Sequence, residues 1–480
     1  MWKRIGAGAG WGPRWWAIGF LSVQVGCAPV GWDGHRDRGS QSGDGMFSDI
    51  PSYRARPGSE VQFFGFEGIF LGIPDEWGAY YSLNEKGGPC FMKANFSRRE
   101  FLGAAGMAAG VTLVQPVLAS ALKAPSSRVA IGSCPEYDRR VAEVLSTMFD
   151  QLGGIQKMVR GKTVAIKLNL TGGPKEKLNG LPPQMTHWVH PQVIGALITL
   201  LGDSGAKRIR LLESSPNGTG SLQDFMIAGG WQPKDFERAA KGVEFENTNF
   251  LGSGKEYARF MVPGGGLMYA GYDLNHSYRD TDVFISLAKL KEHRTAGVTL
   301  SMKNCFGITP CTIYSNEAPL DEPSIVPRGY REPMHSGSRV PPKSAPQPVV
   351  ESTDGGFRVP RVTADLVAVR PIHLAVIDGI YTMTGGELPN QQRGWVHKAV
   401  HPGLLIAGLN CVATDAVATA VMGFDPMADR GTAPFQKCDS TLRLAEHLGV
   451  GTRDLSRIEV AGMPISKARF RFPPLGHFAV

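Results

Sequence analysis

Lysines grouped with asparagine, histidine or acidic residues recur at the ends of apolar runs in this 480-residue chain. The first group is Lys167-Leu168-Asn169, then Glu213 closes a second run and Lys289-Leu290-Lys291-Glu292-His293-Arg294 closes a third. A further pair, Lys303-Asn304, sits inside the otherwise mostly apolar run TLSMKNCFG at 299–307. Burying an ammonium is costly unless it has a partner or a task. A desolvated lysine can lose its proton and act as base or nucleophile, or keep it and grip an anionic group. Lys291, His293, Lys303 and Asn304 are therefore the candidate catalytic residues; an ion pair of Lys303 with Asp378 or Glu213 is the structural alternative. Lys167, Asn169, Glu213, Asp378, Gly385, Gly386 and Asp415 are the candidate ligand-binding residues. Taken singly, such a lysine is usually solvated, such an acid often caps a helix, and a lone histidine is more often structural than a ligand. Their coincidence is what points to a cleft.

The Gly385-Gly386 pair, in the loop after Asp378, could present backbone N–H groups to a phosphate or carboxylate. That loop has neither the Walker nor the dinucleotide-binding glycine spacing. Asp415 lies in NCVATDAVA at 410–418, where a cap or cross-domain hydrogen bond competes with a metal or substrate contact. His187, His190, His397 and His401 lack a zinc spacing, so a metal, like any other cofactor, stays unassigned.

What must position these residues is an open α/β sheet, in which ligands bind beyond the carboxyl ends of the strands. Runs 129–131, 163–169, 208–213, 283–287, 372–377, 403–409 and 457–461 are predicted strands. Val141, Val144, Leu145, Met148, Phe149 and Leu152 have helical spacing over 139–152; Pro191 opens a helix over 190–201, and 413–422 reads as a buried Ala/Val-rich helix. Strands separated by helices imply parallel βαβ units. The expected fold class is α/β, a mostly parallel sheet with helices on both faces; two lobes divided near 309–361 are the alternative. That stretch is dense in proline from Pro310 to Pro348 and reads as a long insertion, a lid over a cleft or a plain linker.

A composition of 42% hydrophobic and 20% charged residues suits a globular core, and the 60 glycines and 34 prolines follow no collagen triplet. The net charge of +8 is spread thinly, which argues against a nucleic-acid partner. After residue 121 the cysteines are Cys134, Cys305, Cys311, Cys411 and Cys438, an odd set without C-x-x-C. That excludes a disulfide framework and an iron–sulfur motif, and buried apolar thiols are expected, with Cys305–Cys311 the one conceivable pair.

Ser97-Arg98-Arg99-Glu100-Phe101-Leu102, a Gly/Ala-rich run over 103–118 and Ala119-Ser120-Ala121 together look like a twin-arginine export signal with its cleavage site. The glycines and Pro116 argue against an ordinary helix, and the run is short for a stable span of about 20 residues. The expectation is an exported, periplasmic or extracytoplasmic protein with the twin-arginine translocase as transient partner and no membrane span after signal removal. Residues 1–91 would then be an extension upstream of translation from Met92. A rival reading places a lipoprotein signal before Cys27, where Gln24 spoils the usual pattern.

The order Lys167-Leu168-Asn169, Lys291-Glu292-His293 with 299–307, Val376-Ile377-Asp378-Gly379-Ile380, then Thr414-Asp415-Ala416-Val417-Ala418 and Met422-Gly423 resembles the bacterial and archaeal family called domain of unknown function 362. The resemblance spans about 129–462. It implies no activity; many members carry a fused ferredoxin-like iron–sulfur module or an export signal, and this chain shows only the latter. The family's Gly-Pro step after Asp378 is replaced by Gly386-Glu387-Leu388-Pro389. Two functional expectations follow: an exported enzyme acting on an anionic small molecule through a Lys/His/Asp cleft, or a ligand-binding or cofactor-carrying protein without turnover.

Overall fold

The structure, a computed structural model, describes residues 127–214, 220–318, 329–389 and 396–475. The upstream extension and the export signal expected from the sequence lie outside these residues. Eight strands form the central sheet: β1 (Ser127–Ser133), β2 (Thr163–Lys167), β3 (Arg208–Glu213), β4 (Val243–Asn247), β5 (Val283–Lys289), β6 (Leu374–Gly379), β7 (Leu404–Gly408) and β8 (Ile458–Gly462). Their spatial order is β8-β1-β7-β6-β5-β2-β3-β4. β7 runs antiparallel to both of its neighbours, and the other neighbouring strands are parallel.

The inner strands are near-continuous apolar runs because both faces of the sheet are covered. Side chains alternate between two cores: Val129, Ile131, Ala375 and Ile377 enter one, while Ala130, Leu374 and Val376 enter the other. Helices α1 (Arg140–Gln151) and α2 (Pro191–Asp203) bury their apolar stripes in the second core, through residues such as Leu145 and Leu197. The first core is filled by α3 (Leu300–Asn304), α4 (Glu332–Ser336), α5 (Gly355–Val369) and α6 (Cys411–Val421). Helices on both faces of a mostly parallel sheet are the architecture the alternation of runs predicts.

Three differences from the sequence reading have physical causes. β4 is absent from the predicted strands because VEFEN is an edge strand with one half-covered face and little apolar content. The 309–361 stretch is not a structureless insertion: it holds a helical turn at Cys311–Tyr314, then α4 and the start of α5, with Tyr314 and Met334 buried in the first core. Nor does it divide the molecule into two lobes, since strands from before and after it interleave in one sheet. The five cysteines of the described region are all free and buried. Among the described residues no helix is long and apolar enough to cross a membrane.

One buried carboxylate ties the two-stranded antiparallel ladder over 258–274 to α5. Asp365 of α5 accepts hydrogen bonds from the backbone N–H groups of Leu267, Met268 and Tyr269 (2.7, 2.8 and 3.1 Å) and from the Tyr272 hydroxyl (3.1 Å). Replacing it with alanine would strand four buried donors, and each unsatisfied group costs about 1–3 kcal/mol before relaxation. Asp365→Ala is expected to lower the unfolding free energy by about 3 kcal/mol or more, read as a fall in the urea midpoint at unchanged slope.

Candidate functional site

The site lies at the carboxyl edge of the sheet, where β2 and β3 end in Lys167 and Glu213. These two side chains form a buried ion pair at 2.6 Å. Lys167 Nζ also donates to the Leu168 carbonyl at 2.7 Å and to Asn304 Oδ1 at 3.4 Å. Glu213 accepts in addition from the N–H groups of Leu170 and Ser214, both at 2.9 Å. Burial lowers the lysine's pKa and the glutamate beside it opposes that fall. Both charges are therefore consumed within the protein. Gly307 stays a glycine for a local reason, since a Cβ there would stand 3.0 Å from Lys167 Nζ.

Asn304, at the end of α3, donates to the Lys167 carbonyl, Ser286 Oγ and the Leu287 carbonyl at 3.2, 3.0 and 3.3 Å. The start of the same helix is strained, with Leu300 in the left-handed region at φ 46°. Its free N–H groups are capped from another helix: Asp415 of α6 accepts from Ser301 N at 2.9 Å, Ser301 Oγ at 2.6 Å and Met302 N at 2.8 Å. Burial nonetheless pushes the Asp415 carboxyl up to about 7. A five-residue helix held at both ends presents Lys303.

Lys303 is 9% exposed and lines a cavity of about 470 Å³. Among the described residues its Nζ makes no hydrogen bond or ion pair; it lies 4.0 Å from the centre of the Phe306 ring. Burial lowers its pKa to about 7, with Arg331 and Lys167 adding to the fall and Glu387 opposing it. Arg331 enters the cavity wall held by the Thr309 carbonyl at 2.7 Å and the Ser214 carbonyl at 2.5 Å. Arg294, another wall residue, has a buried Nε with no partner among the described residues.

Two histidines share this wall with opposite tautomers. His335 Nδ1 lies 2.7 Å from the Arg331 carbonyl, so it carries the proton and leaves Nε2 with a lone pair. His293 Nδ1 accepts from the Thr295 N–H at 3.2 Å, which places the proton of the neutral ring on Nε2, 3.9 Å from Glu387 Oε1. Burial and the nearby Lys303 hold His335 down at about 4 and His293 well below its ordinary value, so both rings are neutral at pH 7. Glu387 is fixed by the Arg294 N–H, which donates to its Oε2 at 2.8 Å.

Lys167, Asn169, Glu213 and His293, which follow strands, thus line one cavity together with Lys303 and Asn304 of α3. Lys291, Asp378, Gly385, Gly386 and Asp415 do not. Asp378 pairs with Lys289, its register partner on β5, at 2.9 Å, and Tyr137 donates to the same carboxylate. Lys291 donates to the His187 and Glu387 carbonyls at 2.8 and 3.0 Å, fixing two loops rather than facing the cavity. The Gly385 N–H is taken by Glu292 at 2.8 Å, so it is not free for an anion. Ser214, Arg331, His335 and Glu387 are wall residues the sequence reading missed. The spacing of Arg331 and His335, four apart around α4, was the one available signal, hidden in a stretch read as insertion. No group of three or more His, Cys, Asp or Glu among the described residues is placed to hold a metal ion.

The chain is 27% identical over 167 residues to a thylakoid-associated protein of Synechocystis sp., a match covering 35% of this chain and 45% of that relative's length. Among solved structures it is similar to a Thermotoga maritima protein (16% identity, 58% of this chain and 56% of that one, TM-score 0.30). It is also similar to the lactate racemase apoprotein of Thermoanaerobacterium thermosaccharolyticum (12% identity, 57% and 54%, TM-score 0.25). The family model described as Domain of unknown function (DUF362) matches residues 164–420, more than half of the chain and a span that holds every cavity residue named above; the chain belongs to that family.

Proposed function

We propose that the protein is an enzyme acting on a small molecule that carries an anionic group, with Lys303 as the reacting amine. One observation carries this reading. Of the four lysines buried among the described residues, Lys167, Lys289 and Lys291 are fully engaged by carboxylates or carbonyls, whereas Lys303 lines the cavity with no hydrogen bond or ion pair among those residues. A lysine buried for structure is paired, because a lone buried charge costs several kcal/mol. A lysine kept unpaired in a cavity of about 470 Å³ is suited to react with what enters it. Arg331 and Arg294 supply the positive charge that an anionic group would meet. His293 offers an N–H and His335 a lone pair, a donor and an acceptor for proton transfer.

The pH dependence follows from Lys303. Its pKa in the fold, about 7, lies below the ordinary lysine value of 10.5, so the unfolded chain binds more protons between those values. Stability contributed by this group therefore rises with pH across that window, and at pH 7 the buried amine is a cost. Turnover that needs the neutral amine rises as pH passes through about 7 and levels above it. Lys303→Met is expected to raise the melting temperature by several degrees at pH 7 while abolishing turnover. The measurements are thermal unfolding from pH 6 to 9 and a melting-shift screen of carboxylate and phosphate metabolites, with conversion of each hit followed by mass spectrometry. A destabilised Lys303→Met variant that still binds and converts the hits would defeat the reading. Hits that bind without conversion would favour a ligand-binding role.

We also propose export through the twin-arginine pathway, which rests on Ser97-Arg98-Arg99-Glu100-Phe101-Leu102 and Ala119-Ser120-Ala121. The amino-terminal sequence of exported protein is expected to begin near Leu122. Protein that retains Trp15-Trp16 would overturn both the cleavage site and the start at Met92.

A further inference from the structure

We infer that Lys303 forms a covalent imine with a 2-oxo acid, a ligand whose carboxylate adjoins a ketone or aldehyde carbonyl. The inference rests on the small-molecule reading above and names its substrate class. Three features of the cavity favour an attacking amine over a charged anchor. Lys303 Nζ lies 4.0 Å from the centre of the Phe306 ring and, among the described residues, makes no hydrogen bond or ion pair that would tie up its lone pair once neutral. Arg331, which suppresses protonation of Lys303, is itself the fixed cation beside it, so the carboxylate and the carbonyl of one short ligand meet different groups. His335 packs on the same Phe306 ring, with centroids 4.8 Å apart, and keeps its Nε2 lone pair because Nδ1 is spent on the Arg331 carbonyl. An anchor for a simple anion would need none of the last arrangement. A lysine with its proton affinity lowered to about 7 has a substantial neutral fraction at neutral pH, as an attacking amine requires.

In the step, the Nζ lone pair forms a bond to the carbonyl carbon while the C=O π pair moves to oxygen, which takes a proton. Both hydrogens leave nitrogen in turn through the His335 lone pair and end on the former carbonyl oxygen, which departs as water. The product is a C=N bond in place of C=O plus one water, with no oxidant or reductant consumed. Water reverses the step.

The test uses the full chain at pH 7 with pyruvate or glyoxylate and sodium cyanoborohydride, which reduces the imine to a stable secondary amine. Intact mass is expected to show one carboxyalkyl adduct, and peptide mapping to place it on Lys303 before the exposed Lys162 or Lys241. Malonate, which has the carboxylates but no ketone, is expected to protect Lys303, and Lys303→Met to lose the adduct. Mapping of the unaltered protein keeps the test independent of how that variant folds. Melting shifts with both pyruvate and malonate but no Lys303 adduct would overturn the imine and leave the anionic-ligand reading standing. Neither shift nor adduct would defeat both, and adducts confined to exposed lysines would overturn the imine.

Discussion

Among the described residues four lysine amines are buried at or just beyond the carboxyl edge of one sheet, and the surrounding structure is organised by the need to satisfy them. An ammonium taken out of water must find a partner, give up its proton, or keep the chain from folding. Lys167 finds Glu213 across the β2–β3 boundary, and Lys289 finds Asp378 across β5–β6. Lys291 uses two backbone carbonyls and thereby ties the loop around His187 to the loop that carries Glu387. The fourth, Lys303, has the Phe306 ring and a cavity. The first three fix the frame, and their saturation is what makes the fourth distinct.

The frame is built so that the short helix under Lys303 cannot drift. Asn304 binds it to two strands, and Asp415 reaches from α6 to cap its strained first turn. A pre-formed site of this kind spends folding stability on geometry, and the buried amine adds to that cost. Asp415 is thus a positioning residue: it touches the helix that carries Lys303 and stands outside the cavity wall.

The stretch dense in proline contributes more than its composition suggests. His335 comes from α4 within it and Arg331 from the residue that caps that helix, and Arg331 reaches back to Ser214 just after β3. One wall of the cavity is therefore supplied by a segment far in sequence from the strands it closes over. Proline here sets chain direction without preventing short helices, since Pro333 occupies the first turn of α4, where its missing N–H would be unpaired in any case.

Much of the sheet was legible in the sequence because inner parallel strands must be apolar on both faces, and β3 in particular has the predicted bounds 208–213. The placement of Lys167, Asn169, Glu213 and His293 near one cleft was legible for the same reason, since the residues that follow such strands converge at one edge, whereas Lys303 is carried by a helix. Edge strand β4 was not, because half-solvated strands lack a strong apolar signal. Nor were the roles within the lysine set: Lys291, beside Glu292 and His293, and Lys303, beside Asn304, both read as candidate catalytic residues. Which of them is saturated depends on carbonyls and carboxylates more than eighty residues away, brought close only by strand order. The sequence by itself determined that lysines would gather at the edge of an α/β sheet; the tertiary structure decided which one has no hydrogen bond or ion pair among the described residues, because pairing is a contact between distant segments.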